Sequence, residues 1–160
     1  MSNDPMAFAR HDHDNCISAA LAAADAACAA RKVKLSPVRR RVLEILLESH
    51  VALGAYDVLA RLDAEGLGSK PPVAYRALSF LVEQGFVHRI ERLNAFIACA
   101  HPGANHNPAF MICRKCGTVA EAQASSRSLA QAAAANGFQL EQTVIEAEGL
   151  CPTCQTGAAA

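Results

Sequence analysis

Cys113, Cys116, Cys151 and Cys154 stand as two C-x-x-C pairs in the last third of a 160-residue chain. Two intervening residues let both sulfurs turn to one side of a tight loop, and two such pairs supply the tetrathiolate that tetrahedral Zn²⁺ favours. Gly117 follows the first pair directly, where a knuckle turn calls for positive φ. Unrelated buried thiols or two disulfides would use the same residues, but a matched pair of pincers favours a structural metal. A second group of donor types lies close by: His88, Cys99, His101, His106 and Glu121. Each also has an ordinary reading, His88 as a surface strand residue, Cys99 as a buried thiol and Glu121 as a solvated carboxylate. Near the N-terminus, His11, His13 and Cys16 leave metal binding open, although a flexible tail explains them as well.

The elements that must position these donors come from a chain that is 52% apolar but only 5% aromatic. Much of the apolar content is alanine, so each helix buries little area, and a metal staple or subunit interface would add stability. No apolar run of about 18 residues is present, nor a signal-peptide pattern. A cytoplasmic protein is therefore expected, with its seven cysteines reduced. The formal net charge is zero, which excludes a globally basic nucleic-acid binder. Arg31, Lys32, Lys34, Arg39, Arg40 and Arg41 nevertheless crowd into eleven residues, and such a cluster can meet phosphate on a neutral chain.

Residues 1–15 read as a flexible leader, and residues 16–32 as an alanine-rich helix carrying Cys28 as a packed thiol. Ser36-Pro37 opens a second helix whose apolar face is Val38, Val42, Leu43, Leu46 and Leu47. A third is predicted over 55–65 and a fourth over 73–84. In the fourth, Ala74, Leu78, Leu81 and Val82 form a stripe, and Arg76 falls opposite it at about 100° per residue. Residues 86–90 and 95–98 read as two strands joined by a polar turn. Three helices followed by a hairpin is the layout of a winged helix-turn-helix, whose last helix enters the major groove. Beyond a boundary near 92–100, the pattern predicts a hairpin over 109–112 and 118–122, a helix over 125–136 and a strand over 138–147 leading into the second pincer. The fold class is α+β: a winged-helix DNA-binding domain at 16–98, then a small α/β dimerisation and metal-binding domain at 99–155.

The stretches Leu35-Ser36-Pro37-Val38-Arg39, Ala55-Tyr56-Asp57, Lys70-Pro71-Pro72-Val73-Ala74-Tyr75-Arg76-Ala77-Leu78 and Glu83-Gln84-Gly85-Phe86-Val87-His88 resemble the ferric uptake regulator family. Val144-Ile145-Glu146-Ala147-Glu148-Gly149-Leu150-Cys151 continues the likeness, which is strongest to the family's zinc uptake regulators and covers roughly residues 25 to 155. The resemblance implies a homodimer that binds double-stranded operator DNA with zinc as co-repressor, at about two Zn²⁺ per subunit. It assigns the structural site to Cys113, Cys116, Cys151 and Cys154, and the regulatory site to His88, Cys99, His106 and Glu121. It places Tyr56 and Arg76 where operator bases are read, with Tyr75, Arg39 and Lys70 also at the DNA. One departure is Val73, which stands where the family carries a threonine able to cap the recognition helix.

One thiolate, two imidazoles and one carboxylate form a set of borderline softness that suits Zn²⁺ over Fe²⁺, Mg²⁺ or Mn²⁺. With four protein donors no position remains for a hydrolytic water. The expectation is a zinc-responsive repressor of zinc uptake genes, not an enzyme, with no membrane and no small organic substrate as partner. The alternatives are an iron- or peroxide-responsive regulator on the same scaffold, a zinc-storage or trafficking protein, and a thiol oxidoreductase. The last would want a lone C-x-x-C in a βαβ setting.

Overall fold

The computed structural model describes residues 6–8, 12–102 and 106–157, and among these described residues apolar spacing and helix stops set out six α-helices and five strands. His11 and most of the expected leader lie outside the described residues. A 3₁₀ turn covers Met6–Phe8, and α1 spans His13–Ala30. The helix begins three residues earlier than its apolar pattern predicts because Asp12 caps it, its side chain accepting from Asn15 N at 3.2 Å. Cys28 is buried on this helix, as expected of a packed thiol.

Ser36 caps α2 (Pro37–Leu47), and Asp57 turns back to accept from Gly54 N at 3.0 Å at the head of α3 (Ala55–Ala64). Helix α4 spans Pro71–Glu83, with both prolines in its first turn, where no intrahelical donor is required. Its N-cap Lys70 makes no side-chain capping bond, and Val73 is the third residue of the helix, so the helix starts two residues earlier than expected and Val73 is not at the cap. Val42, Ile45, Leu46, Val58, Leu62, Ala74, Leu78 and Leu81 close the helical core with at most 1% exposure each. Arg41 welds α2 to α3 by reaching Glu65 at 2.8 Å and Glu48 at 3.1 Å, and Arg61 also pairs with Glu48.

Strands β1 (Val87–Ile90) and β2 (Ala95–Ala98) form the antiparallel wing, pairing Val87 with Ala98 through Ile90 with Ala95. Its turn uses Asn94 at φ 47, a conformation asparagine tolerates. A second sheet has the order β4-β3-β5. Strand β3 (Pro108–Cys113) pairs antiparallel with β4 (Val119–Gln123) and parallel with β5 (Ile145–Gly149). Helix α5 spans Arg127–Ala135, and α6 is a single turn at Pro152–Gln155. The strand expected over 138–147 is a correction: only 145–149 pairs. Phe138 N is spent on Ala133 O at 2.8 Å, closing α5 around Gly137 at φ 66, so the chain leaves the helix as a cap and not as a strand.

The wing does not pack on the helices alone. Ile90 and Ile97 join Phe110, Ile112 and Val119 in a second apolar cluster, and Leu53 exchanges backbone hydrogen bonds with Phe96. The hairpin therefore belongs to both halves of the molecule. No helix among the described residues is long and apolar enough to cross a membrane.

Ile90 is fully buried in the shared cluster. Ile90→Ala should lower the free energy of unfolding by about 2–5 kcal/mol. The exposed Val82→Ala should change it by less than about 0.5 kcal/mol. Urea denaturation at fixed metal content measures both.

Candidate metal centres and nucleic-acid face

The two pincers meet because β3 and β5 are parallel and in register. Pairing Cys113 with Gly149 carries Cys151 alongside the turn that holds Cys113 and Cys116. That turn closes through Gly117 N to Cys113 O at 2.9 Å, with Gly117 at φ 78 as its spacing requires. One donor atom from each of Cys113, Cys116, Cys151 and Cys154 falls within 4.8 Å of the others. Zn–S bonds of about 2.3 Å at the tetrahedral angle separate sulfurs by about 3.8 Å, and Cys116 Sγ lies 3.7 Å from Cys151 Sγ. All four are free thiols. Backbone N–H groups of Cys116, Cys151 and Lys115 pull the Cys113 thiol down to about 6, and hydrogen bonding with Cys151 pushes Cys154 up to about 12. Such backbone donors stabilise a thiolate, the form that ligates. The donor set fits zinc.

The second cluster assembles at the seam of wing and sheet. His88 comes from β1, Cys99 follows β2, His106 precedes β3 and Glu121 sits in β4. Their donor atoms also lie within 4.8 Å of one another. His88 Nε2 is 3.5 Å from Glu121 Oε1, Cys99 Sγ is 3.7 Å from His106 Nε2, and His106 Nε2 meets Glu121 Oε1 at 2.5 Å. The first two lie close to the roughly 3.3–3.6 Å edges of a tetrahedron with mixed Zn–N, Zn–O and Zn–S bonds, while the third is at hydrogen-bond separation. His88 Nε2 is buried with no hydrogen-bond partner of good geometry, the state of a nitrogen suited to a metal.

Electrostatics point the same way. Burial, then the Glu121 carboxylate, pushes Cys99 up to about 12. Burial works to raise Glu121 as well, but His88, the Ala100 N–H at 2.8 Å and His106 outweigh it and hold the carboxyl at about 2. The cluster thus sets a carboxylate beside a thiol of raised pKa, and a metal coordinated there would favour the thiolate. His101 contributes its backbone N–H to Cys99 Sγ at 3.4 Å, and its ring is outside the four donors. His13 packs its ring on His50 and reaches Glu48 O at 3.1 Å, and neither it nor Cys16 belongs to a group of three or more convergent donors among the described residues.

The sequence model of the ferric uptake regulator family matches residues 30–148. The chain belongs to the ferric uptake regulator family. The zinc uptake regulation protein of Escherichia coli (strain K12) is 42% identical over 137 residues, covering 84% of this chain and 80% of that protein. A zinc uptake regulator solved in complex with zinc and DNA superposes with a TM-score of 0.83 at 40% identity, covering 90% of this chain and 98% of its own. The holo form of the protein called XcZur gives 0.77 at 36% identity, covering 85% and 96%, whereas its apo form gives 0.51. The structure therefore matches the holo arrangement of that relative more closely than the apo one.

Helix α4, its N-cap and the head of α3 carry four of the residues expected at DNA. Arg76, Lys70, Tyr75 and Tyr56 are exposed there, the two tyrosines at 46% and 67%. Three of the six residues of the basic cluster, Arg31, Arg40 and Arg41, are held by partners within the chain. Arg40 pairs with Asp25 at 2.6 Å, Arg41 with three glutamates, and Arg31 Nη1 donates to Gln84 O at 2.7 Å to close α4. The ties to Asp25, Glu65 and Gln84 join residues distant in sequence, which spacing could not reveal, whereas Glu44 is three residues from Arg41. Lys32 and Lys34 are exposed and enter no ion pair among the described residues. Arg39 stacks its guanidinium on Phe80 at 3.7 Å and donates to Lys34 O at 2.7 Å, leaving part of its fork available.

Arg39→Ala should therefore cost about 0.5–1 kcal/mol of stability from the lost ring contact. Arg39→Lys should recover little of it, because an ammonium lacks the planar stack. Thermal unfolding of the two variants beside wild type checks this.

Proposed function

We propose that this chain is a zinc-responsive transcriptional repressor that binds operator DNA as a homodimer and controls zinc uptake genes in the cytoplasm. The observation that carries the reading is the convergence of His88, Cys99, His106 and Glu121 from both sides of the seam. It is supported by a zinc uptake regulation protein being 42% identical over most of the chain. A regulator, unlike an enzyme, needs a site that changes shape more than one that turns over substrate. Four protein donors around one point leave nothing open for chemistry.

In this reading each subunit takes two zinc ions. Cys113, Cys116, Cys151 and Cys154 hold the second sheet together in every state, and His88, Cys99, His106 and Glu121 form the switch. When bound, zinc supplies four short, directional bonds to one point in the seam. His88 anchors the winged part, residues 16–98, while Cys99 and His106 at the hinge and Glu121 in β4 anchor residues 99–155. Joining them fixes the angle between the two parts, and hence the spacing of the two recognition helices in a dimer. Dimeric readers need those helices about 34 Å apart. A coupling of about 3 kcal/mol between metal and DNA would raise operator affinity roughly 150-fold.

Within each half-site, Arg76 points from α4 to a base edge, guanine O6 and N7 being the pair its fork suits. Tyr56 joins it in base reading, while Tyr75, Lys70 and Arg39 meet the phosphate backbone. Subunit contact falls, in the same reading, on the second sheet. There β5 is an edge strand, and Leu129, Phe138 and Val144 are exposed apolar side chains in the segment around it.

Cys99→Ser should leave a folded dimer that keeps its tetrathiolate zinc yet no longer gains DNA affinity with zinc. Cys113→Ser should lose zinc, folding and dimerisation together, since metal binding there is folding energy. Mass spectrometry under native conditions reads both, and unchanged zinc dependence in Cys99→Ser would sink the assignment of the switch. Arg76→Ala should weaken operator binding by roughly 1–3 kcal/mol with metal content unchanged. The decisive titration is fluorescence anisotropy on inverted-repeat DNA at buffered free zinc, with metal measured at each point. Failure of any DNA to bind at saturating zinc would favour a storage role.

A further inference from the structure

The turn of the wing is held by a residue that the metal chemistry does not use. Glu146, on β5, spreads its carboxylate across two consecutive backbone N–H groups. Oε1 accepts from Glu91 at 2.6 Å and Oε2 from Arg92 at 2.9 Å. The Arg92 side chain then donates from Nε to Glu148 Oε2 at 3.0 Å, so the turn docks on two neighbouring acids of one strand. Glu146 itself is fixed by the ladder, opposite Phe110 of β3, and β5 runs directly into Cys151. A carboxylate accepting two backbone donors is a strong, directional tie.

Its place relative to the switch gives it consequence. His88 and Cys99 attach the open end of the hairpin to the second sheet, and Glu146 attaches the turn. His88 and Glu91 are three residues apart, roughly 10 Å along a strand. A body held at one point can pivot about it, whereas two separated attachments fix its direction. We infer that Glu146 is a positioning residue: it latches the wing's turn to the second sheet and thereby sets how tightly the seam cluster takes metal and how well the winged part is aimed at DNA. This rests on the regulatory reading of the seam cluster given above. If both ties close in the same arrangement, each strengthens the other by the same factor.

The test uses the full-length protein with its tetrathiolate zinc in place. Glu146→Gln keeps the size of the side chain but sets an amide NH₂ against one of the two N–H groups. The second zinc should bind roughly tenfold more weakly in the absence of DNA, the factor expected when a hydrogen bond to a charged group is lost. The Glu91 and Arg92 amides should exchange hydrogen faster, while tetrathiolate zinc content and dimer mass stay as in wild type. Glu148→Gln serves as control: it removes only an exposed ion pair, and its second-zinc affinity should stay within about threefold of wild type. An unchanged second-zinc affinity in Glu146→Gln, or unchanged exchange at Glu91 and Arg92, overturns the latch. So does a loss of the tetrathiolate zinc in that variant, which would make the residue a plain structural support. The zinc measurement needs no DNA. A wild-type chain that bound zinc but no operator would sink the regulator reading, and the latch would still stand or fall on metal affinity.

Discussion

Glu121 is the one buried charged side chain among the described residues, and an ionised carboxylate in that position is costly unless several groups compensate it. The compensation comes from three segments: the imidazole of His88 in the wing, the Ala100 N–H after it, and the His106 ring before β3. None of these belongs to Glu121's own strand. The seam between wing and second sheet is therefore an electrostatic necessity as much as a packing one. Ile90 and Ile97 add the apolar part by entering the same cluster as Phe110, Ile112 and Val119.

The two metal centres draw on different physics. The cysteine pincers lie on a single sheet, are brought together by one parallel register and have backbone N–H groups that already favour thiolate at Cys113. Such a site is complete as soon as its sheet forms. The seam cluster is spread over the wing, a loop and β4, and burial, then Glu121, pushes its thiol up to about 12. In the regulator reading, a metal at such a site would favour the thiolate and tie together the parts that carry the donors. The first suits a staple and the second suits a switch.

Around this seam the surface charges have been given fixed duties. Arg31, Arg40 and Arg41 close helix ends and weld helices, so in the regulator reading fewer cations are left for DNA than the basic count suggests. That reading draws on α4 and the head of α3, where Tyr56 and Tyr75 are exposed. In the regulator reading, the seam would set how the two recognition helices of a dimer are spaced.

The sequence alone determined the features that depend on local spacing. The C-x-x-C pairs, the capped helices, the wing and the exposed placement of Arg76 follow from periodicity, from Ser36 and the prolines at helix starts, and from glycines at turns. Residue type and family likeness together named the four seam donors, although nothing in their spacing of 11, 7 and 15 residues required them to meet. The tertiary structure decided what depends on distant partners. It decided that 138–144 would cap a helix and not pair as a strand, that the arginine cluster would serve ion pairs, and that Glu146 would receive the wing's turn. Those outcomes hinge on which long-range acceptor lies nearest a given donor once the β3–β5 register is fixed, and no local pattern carries that information.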